Sequence, residues 1–181
     1  MTIEKIGIEA CDTLVALFAR VVDGMRSQGI DQWDERYPDR AVLEADLRAG
    51  VAFALFGDRE ESPRFQAGAP VGYVALNEEQ SEEYRDVPWL ENGGAPLVIH
   101  RLCVDPVFQG RGAAKTLLSF AETFALQTGH TSIRLDAFTQ NPAALALYDS
   151  LGYDWRGEVT FRKGLFRCYE KILSPGELRF S

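Results

Sequence analysis

Apolar and polar positions alternate at the start of the chain. Ile3-Glu4-Lys5-Ile6-Gly7-Ile8 reads as a first strand. The period then lengthens. Leu14, Leu17, Phe18, Val21, Val22 and Met25 recur at helical spacing and form one apolar face. They predict a helix capped by Asp12 or Thr13, running to about Ser27 and stopped by Gly29. A loop from Ile30 to Pro38 carries two large aromatics, Trp33 and Tyr37. A shorter helix follows, with Val42, Leu43 and Leu47 inward and Gly50 at its end.

The pattern next shortens to strands, Val51 to Phe56 and Ala69 to Leu76, joined by a polar hairpin loop from Gly57 to Gly68. Between Glu78 and Gly94 lies an acidic loop with Glu78, Glu79, Glu82, Glu83, Asp86 and Glu91, which reads as a solvated, mobile connection ending in the turn Asn92-Gly93-Gly94. Leu97 to Val104 is a strand, and Ala114, Leu117, Leu118, Ala121 and Ala125 mark a helix that ends near Gln127 and Gly129. Ser132 to Ala137 is a strand again, which completes a β-α-β crossover and predicts parallel pairing. Asn141 and Pro142 open a short helix through Tyr148, ended by Gly152. A hairpin of two strands, about Tyr153 to Phe161 and Phe166 to Leu173, closes the pattern. The sum is one mixed α/β domain over residues 1–181.

Composition narrows the class. The apolar share is 46% and the charged share 25%, as in ordinary globular proteins. No apolar run approaches the roughly 20 residues of a membrane helix, and the first residues lack the pattern of a secretory signal. A cytoplasmic location is the expectation. Cys11, Cys103 and Cys168 lie far apart, and His100 and His130 are the chain's two histidines, so neither a disulfide framework nor a metal site is expected. Each cysteine reads as a small buried apolar residue. A net charge of −8 argues against nucleic acid and leans towards a cationic partner.

One segment carries chemistry. Gln109-Gly110-Arg111-Gly112-Ala113-Ala114 stands between a strand and a helix. A small-residue turn at a helix start leaves backbone N–H groups free, and the helix dipole adds partial positive charge. Such a turn holds an anion, for instance a pyrophosphate. The P-loop alternative fails on two residues. Ala114 stands where glycine should precede Lys115-Thr116, and Gln109 occupies the first glycine position.

The turn has neighbours. Leu102-Cys103-Val104-Asp105-Pro106 precedes it, and Asn141 and Leu147-Tyr148-Asp149-Ser150-Leu151-Gly152-Tyr153 follow. Taken together, from about Leu97 to Gly157, these segments resemble the GNAT superfamily of N-acetyltransferases. The resemblance implies a mixed, mostly antiparallel sheet of six to seven strands, flanked by about four helices. The sheet would splay where the strand ending at Val104 parts from the strand at Ile133 to Ala137. It also implies acetyl transfer from acetyl-CoA to the primary amine of a small molecule, by direct attack in a ternary complex and without a metal. A homodimer is possible.

Site roles follow residue by residue from the resemblance. Main-chain N–H groups of Gln109, Gly110, Arg111, Gly112, Ala113 and Ala114 would bind the CoA pyrophosphate, with Arg111 adding charge. The main chain of Leu102, Cys103 and Val104 would pair with pantetheine and polarise the thioester carbonyl. Tyr148 would protonate or hydrogen-bond the leaving thiolate. Asn141 would contact cofactor, cap its helix, or do both. His100 and Glu78 are alternative bases for the substrate ammonium. Trp33, Tyr37 and Glu78 would border the acceptor, though Trp33 and Tyr37 also suit a hydrophobic plug. His130 reads as surface, and sequence alone does not place Asp136 and Glu170. A route through an acetylated Cys103 has nothing nearby to activate the thiol. A non-catalytic acyl-CoA sensor of the same fold is the competing reading.

Overall fold

Among the described residues, seven strands and four α-helices follow one another in the order set by the hydrophobic pattern. The structure is a computed structural model and describes residues 1–57, 68–90 and 93–174. Most of the predicted hairpin loop, 58–67, and Glu91 and Asn92 of the acidic loop lie outside the described residues. The chain divides into two compact units, Met1–Leu76 with His100–Leu118, and Asn77–Ile99 with Ser119–Ser181.

The first unit holds β1 (Thr2–Lys5), α1 (Cys11–Ser27), α2 (Arg40–Ala49), β2 (Ala52–Phe56) and β3 (Pro70–Asn77). It also takes the second half of β4 (Pro96–Val104) and the start of α3 (Ala113–Gln127). β1 pairs antiparallel with β2, and β2 with β3, with Phe53 opposite Val74. Where β4 ends, the Asp105 N–H donates to the Val71 carbonyl at 2.8 Å. Leu14, Leu17, Phe18 and Val21 of α1 meet Leu43 and Leu47 of α2 over Ala52, Tyr73, Ala75 and Cys103. Burying each large side chain contributes roughly 1.5–3 kcal/mol, so this layer fixes both helices. Neither Asp12 nor Thr13 caps α1. A 3-10 turn, Ile8–Ala10, feeds directly into it, and the Thr13 hydroxyl donates back to Ala10 O at 2.8 Å. α2 has the cap that α1 lacks, because Asp39 Oδ1 accepts from the Val42 N–H at 2.9 Å.

The second unit holds the start of β4 with β5 (Ser132–Phe138), α4 (Pro142–Ser150), β6 (Asp154–Phe161) and β7 (Gly164–Ile172). The predicted parallel pair exists. Pro96, Leu97 and Val98 lie opposite Ser132, Ile133 and Arg134. β5 continues from there to Phe138 and pairs antiparallel with β7 along its whole length. β6 pairs antiparallel on the other side of β7.

The acidic loop departs from expectation. It is a folded segment with a 3-10 turn at Glu82–Asp86, and Tyr84, Val87 and Trp89 are buried. The Trp89 indole N–H donates to Tyr84 O at 3.0 Å, and the Arg156 guanidinium donates to Pro88 O at 2.6 Å. Glu79, Glu82, Glu83 and Asp86 remain exposed on its outside.

Candidate active site

In the first unit the strand that precedes the glycine turn is kinked. Arg101, inside β4, has φ +55°, and it is the one non-glycine residue with positive φ among the described residues. An L-residue there costs about 1–2 kcal/mol. The side chain is held from several sides. Arg101 Nε donates to Asp46 Oδ2 at 2.8 Å and Nη2 to Asp46 Oδ1 at 2.6 Å. The Tyr73 hydroxyl donates to the same Asp46 Oδ2 at 2.7 Å, and Arg101 Nη1 donates to the Tyr37 hydroxyl at 3.1 Å. Burial works against the Arg101 charge, but Tyr37 and Asp46 outweigh it and raise its pKa. Burial and the Asp46 charge push the Tyr73 phenol far up, so it stays a donor.

His100 sits half-buried beside this kink, and Leu102 to Val104 continue the strand. Cys103 is buried, and burial, then the Asp105 charge, raise its thiol well above the ordinary range. A thiol so held is not a nucleophile at neutral pH. Trp33 packs on Phe18 with ring centroids 5.5 Å apart and belongs to the core. The plug reading therefore describes its geometry. Tyr37 is exposed, with its hydroxyl on Arg101.

Asp105 shapes the approach to the glycine turn. It is fully buried, accepts from Arg20 Nε at 2.6 Å and caps the 3-10 turn Pro106–Phe108 through the Val107 N–H at 3.1 Å. Gln109 Nε2 then donates to Val104 O at 3.3 Å. Gly110 has φ +74° and Gly112 φ +85°, conformations that side chains rarely adopt. The Thr116 N–H donates to Gly112 O at 3.0 Å, which starts the first turn of α3. The backbone from Gly110 to Ala114 enters α3 here, and a Cβ built on either glycine meets nothing within 4 Å. An open glycine turn at a helix start fits a pyrophosphate. Arg111 lies exposed over the Phe108 ring at 5.5 Å.

The second unit carries Tyr148, Asn141, Glu78 and His130. Tyr148 is buried between Tyr153 and Tyr169, with ring centroids at 5.8 and 5.7 Å. Burial, then the Asp136 charge, raise its pKa, so the phenol keeps its proton and can donate. Asn141 Oδ1 accepts from the Ala144 N–H at 3.2 Å, which is the helix-capping role. The Glu78 side chain is 71% exposed, and its Oε1 lies 3.3 Å from His130 Nε2. His130 is no free surface group: its ring is largely enclosed, with Nδ1 2.8 Å from the Thr128 hydroxyl.

Two carboxylates that the sequence left unplaced separate sharply. Glu170 is fully buried and ionically paired, with Arg134 Nε donating to its Oε1 at 2.8 Å. It also accepts from the Ser132 hydroxyl and the Leu90 N–H. That makes it an anchor of the acidic loop. Asp136 is half-buried on β5, and its Oδ2 accepts from the Tyr84 hydroxyl at 2.7 Å. Burial raises the Asp136 pKa, the Tyr84 hydrogen bond opposes this, and Glu83 adds to it; the result is about 6. A carboxylate poised near neutrality suits proton transfer. No periodicity marks Tyr84, so its partner on β5 was not readable from the loop. Among the described residues, no group of three or more His, Cys, Asp or Glu could hold a metal.

The acetyltransferase (GNAT) family model matches residues 19–153, and the chain belongs to this family of acyltransferases. The chain is 24% identical over 152 residues to the uncharacterised N-acetyltransferase YesJ of Bacillus subtilis, covering 82% of this chain and 79% of that one. The GNAT acetyltransferase of Streptococcus agalactiae shares the fold with a TM-score of 0.79 and 24% identity, over 96% of this chain and 95% of the other. YncA of Salmonella typhimurium, a putative acetyltransferase solved with its cofactor acetyl-CoA, aligns with a TM-score of 0.66 and 19% identity over 96% and 94% of the two chains. The mixed, mostly antiparallel fold, with seven strands and four helices among the described residues, is that of these acetyltransferases. No helix among the described residues is long and apolar enough to cross a membrane.

Proposed function

We propose that this acetyltransferase moves the acetyl group of acetyl-CoA to a primary amine of a small cationic molecule, by direct attack. Acetyl-CoA supplies an activated thioester. The N–H groups of Gly110 to Ala114 hold its pyrophosphate, and the main chain of Leu102 to Val104 pairs with its pantetheine arm. Asp136 takes the proton from the substrate ammonium, so that the neutral amine can attack. Tyr148 gives its hydrogen bond to the departing thiolate. The exposed acids of the folded loop, Glu82, Glu83 and Asp86, draw in the cation. His100 and Glu78 are the other candidate bases, and Tyr37 is the aromatic left open to an acceptor. A homodimer remains part of this reading.

The observation that carries the proposal is the Asp136–Tyr84 pair, a half-buried carboxylate with a pKa raised to about 6. A thiol-release screen with acetyl-CoA tests it across monoamines, polyamines, amino acids and peptides with free N-termini. Release should be strongest with small polyamines and fall by about 10²-fold or more in Asp136→Asn. An equal fall in His100→Ala or Glu78→Gln, with Asp136→Asn active, moves the base to that residue. Release confined to peptides replaces the small-molecule acceptor. CoA binding with no release from any amine favours the sensor.

A further inference from the structure

We propose that Arg101 is a positioning residue for donor binding: its ion pair with Asp46 locks the left-handed kink that sets the course of the Leu102–Val104 main chain. This rests on the acetyl-CoA reading of that segment. A regular strand sends successive N–H and C=O groups to alternate sides, and one residue at φ +55° breaks the alternation and re-aims the groups that follow. Glycine is the residue that ordinarily takes such a φ. This chain places arginine there, and strained backbone persists only where its surroundings over-determine it.

The surroundings do so here. The guanidinium forks onto both oxygens of Asp46, on α2, at 2.8 and 2.6 Å. Tyr73, on β3, fixes the same carboxylate at 2.7 Å, and Tyr37, in the loop after α1, takes a third guanidinium donor at 3.1 Å. Two elements of one compact unit thus hold this side chain directly, and a third, through Tyr73, fixes the carboxylate that holds it. A forked arginine–carboxylate pair fixes orientation as well as distance. Glycine could reach this kink but would also leave it, whereas the tethered arginine has one course. The kink is bounded by His100 and Leu102, so the lock acts directly upstream of the main chain assigned to pantetheine.

The alternative is that the ion pair serves stability alone. Arg101→Gly and Arg101→Ala separate the two, because both delete the ion pair and only glycine tolerates the φ. Both are made with Asp46→Asn, so that no buried carboxylate is stranded. CoA affinity is measured by calorimetry at a temperature where the variants are folded. Both doubles should melt below the wild type, the alanine double a few degrees lower than the glycine double, for the φ penalty that alanine alone bears. The alanine double should bind CoA about fivefold or more less tightly than the glycine double. A smaller difference overturns the proposal while leaving the donor reading intact. A wild-type chain that binds no CoA overturns the donor reading and the proposal with it. Should the doubles not fold, Arg101→Lys replaces them. It keeps the charge without the fork, so affinity should fall about threefold or more, and unchanged affinity overturns the lock.

Discussion

The Tyr84 hydroxyl donates to Asp136 Oδ2 over 2.7 Å, joining the acidic loop to β5 inside one compact unit. This bond stabilises the charged carboxylate against burial, which pushes the other way. Removing it therefore raises the Asp136 pKa further. In Tyr84→Phe the acidic limb of the kcat/KM profile should move to higher pH, by up to about one unit, from a wild-type midpoint near pH 6. Measured profiles that coincide would remove Asp136 from the ionisation controlling turnover.

Asp136 also links function to stability. Its folded pKa of about 6 lies above the ordinary carboxylate value, so the folded state binds the proton more tightly than the unfolded chain. The sign follows. Below about pH 4 both states are protonated and Asp136 costs nothing; as pH rises through 6 the fold loses stability. Asp136→Asn, which can still accept from Tyr84, should be nearly inactive yet more stable than wild type at pH 8, by about 3 kcal/mol. The gain should vanish near pH 4. Denaturation at the two pH values checks this, and equal stability at pH 8 would contradict it.

Gly110 and Gly129 form a matched pair for the donor turn. Both have positive φ, +74° and +83°, and a Cβ on either meets nothing within 4 Å. The penalty for alanine is conformational in both, about 1–2 kcal/mol. Gly110→Ala and Gly129→Ala should lose similar stability. CoA affinity should fall about tenfold in Gly110→Ala, in the turn assigned to the pyrophosphate, and stay unchanged in Gly129→Ala, past the far end of α3. Equal CoA affinities in titration would take the turn out of donor binding.

The contrast between these sites explains what the sequence could reveal. α1, α2 and α3 were readable because Leu14 to Val22, Leu43 with Leu47, and Leu117 to Ala125 repeat at helical spacing, and burial enforces that spacing. The Gly110 turn was readable because its chemistry is local. Tyr84 and Asp136 are 52 residues apart, so their bond exists only once the loop folds over β5. Arg101 looked like an ordinary strand residue, since its left-handed backbone is imposed by Asp46, 55 residues earlier in the chain. Acidic composition suggested a mobile loop, but Trp89 and Tyr84 buried beneath it decide otherwise.

The last prediction concerns what keeps that loop in place. Arg134 and Glu170 are a buried ion pair with side chains 7% and 0% exposed. The guanidinium also stacks over Trp89 at 4.4 Å and donates to Gln80 Oε1 at 2.7 Å, while Glu170 accepts from the Leu90 N–H. Arg134→Ala leaves Glu170 buried without its countercharge, which should cost about 3–5 kcal/mol. In a chain of this size that lowers the melting temperature by about 10 °C. Replacing both members, Arg134→Met with Glu170→Gln, strands no charge and should recover much of the loss. Both variants remove the ties from Arg134 to Trp89 and Gln80, so amide exchange across residues 80–90 should quicken even where global stability returns. Turnover should then fall with the loosened Tyr84, because Asp136 loses its partner. If the double variant regains stability, keeps slow exchange and keeps full activity, the loop is held by its own packing and the ion pair is dispensable to it.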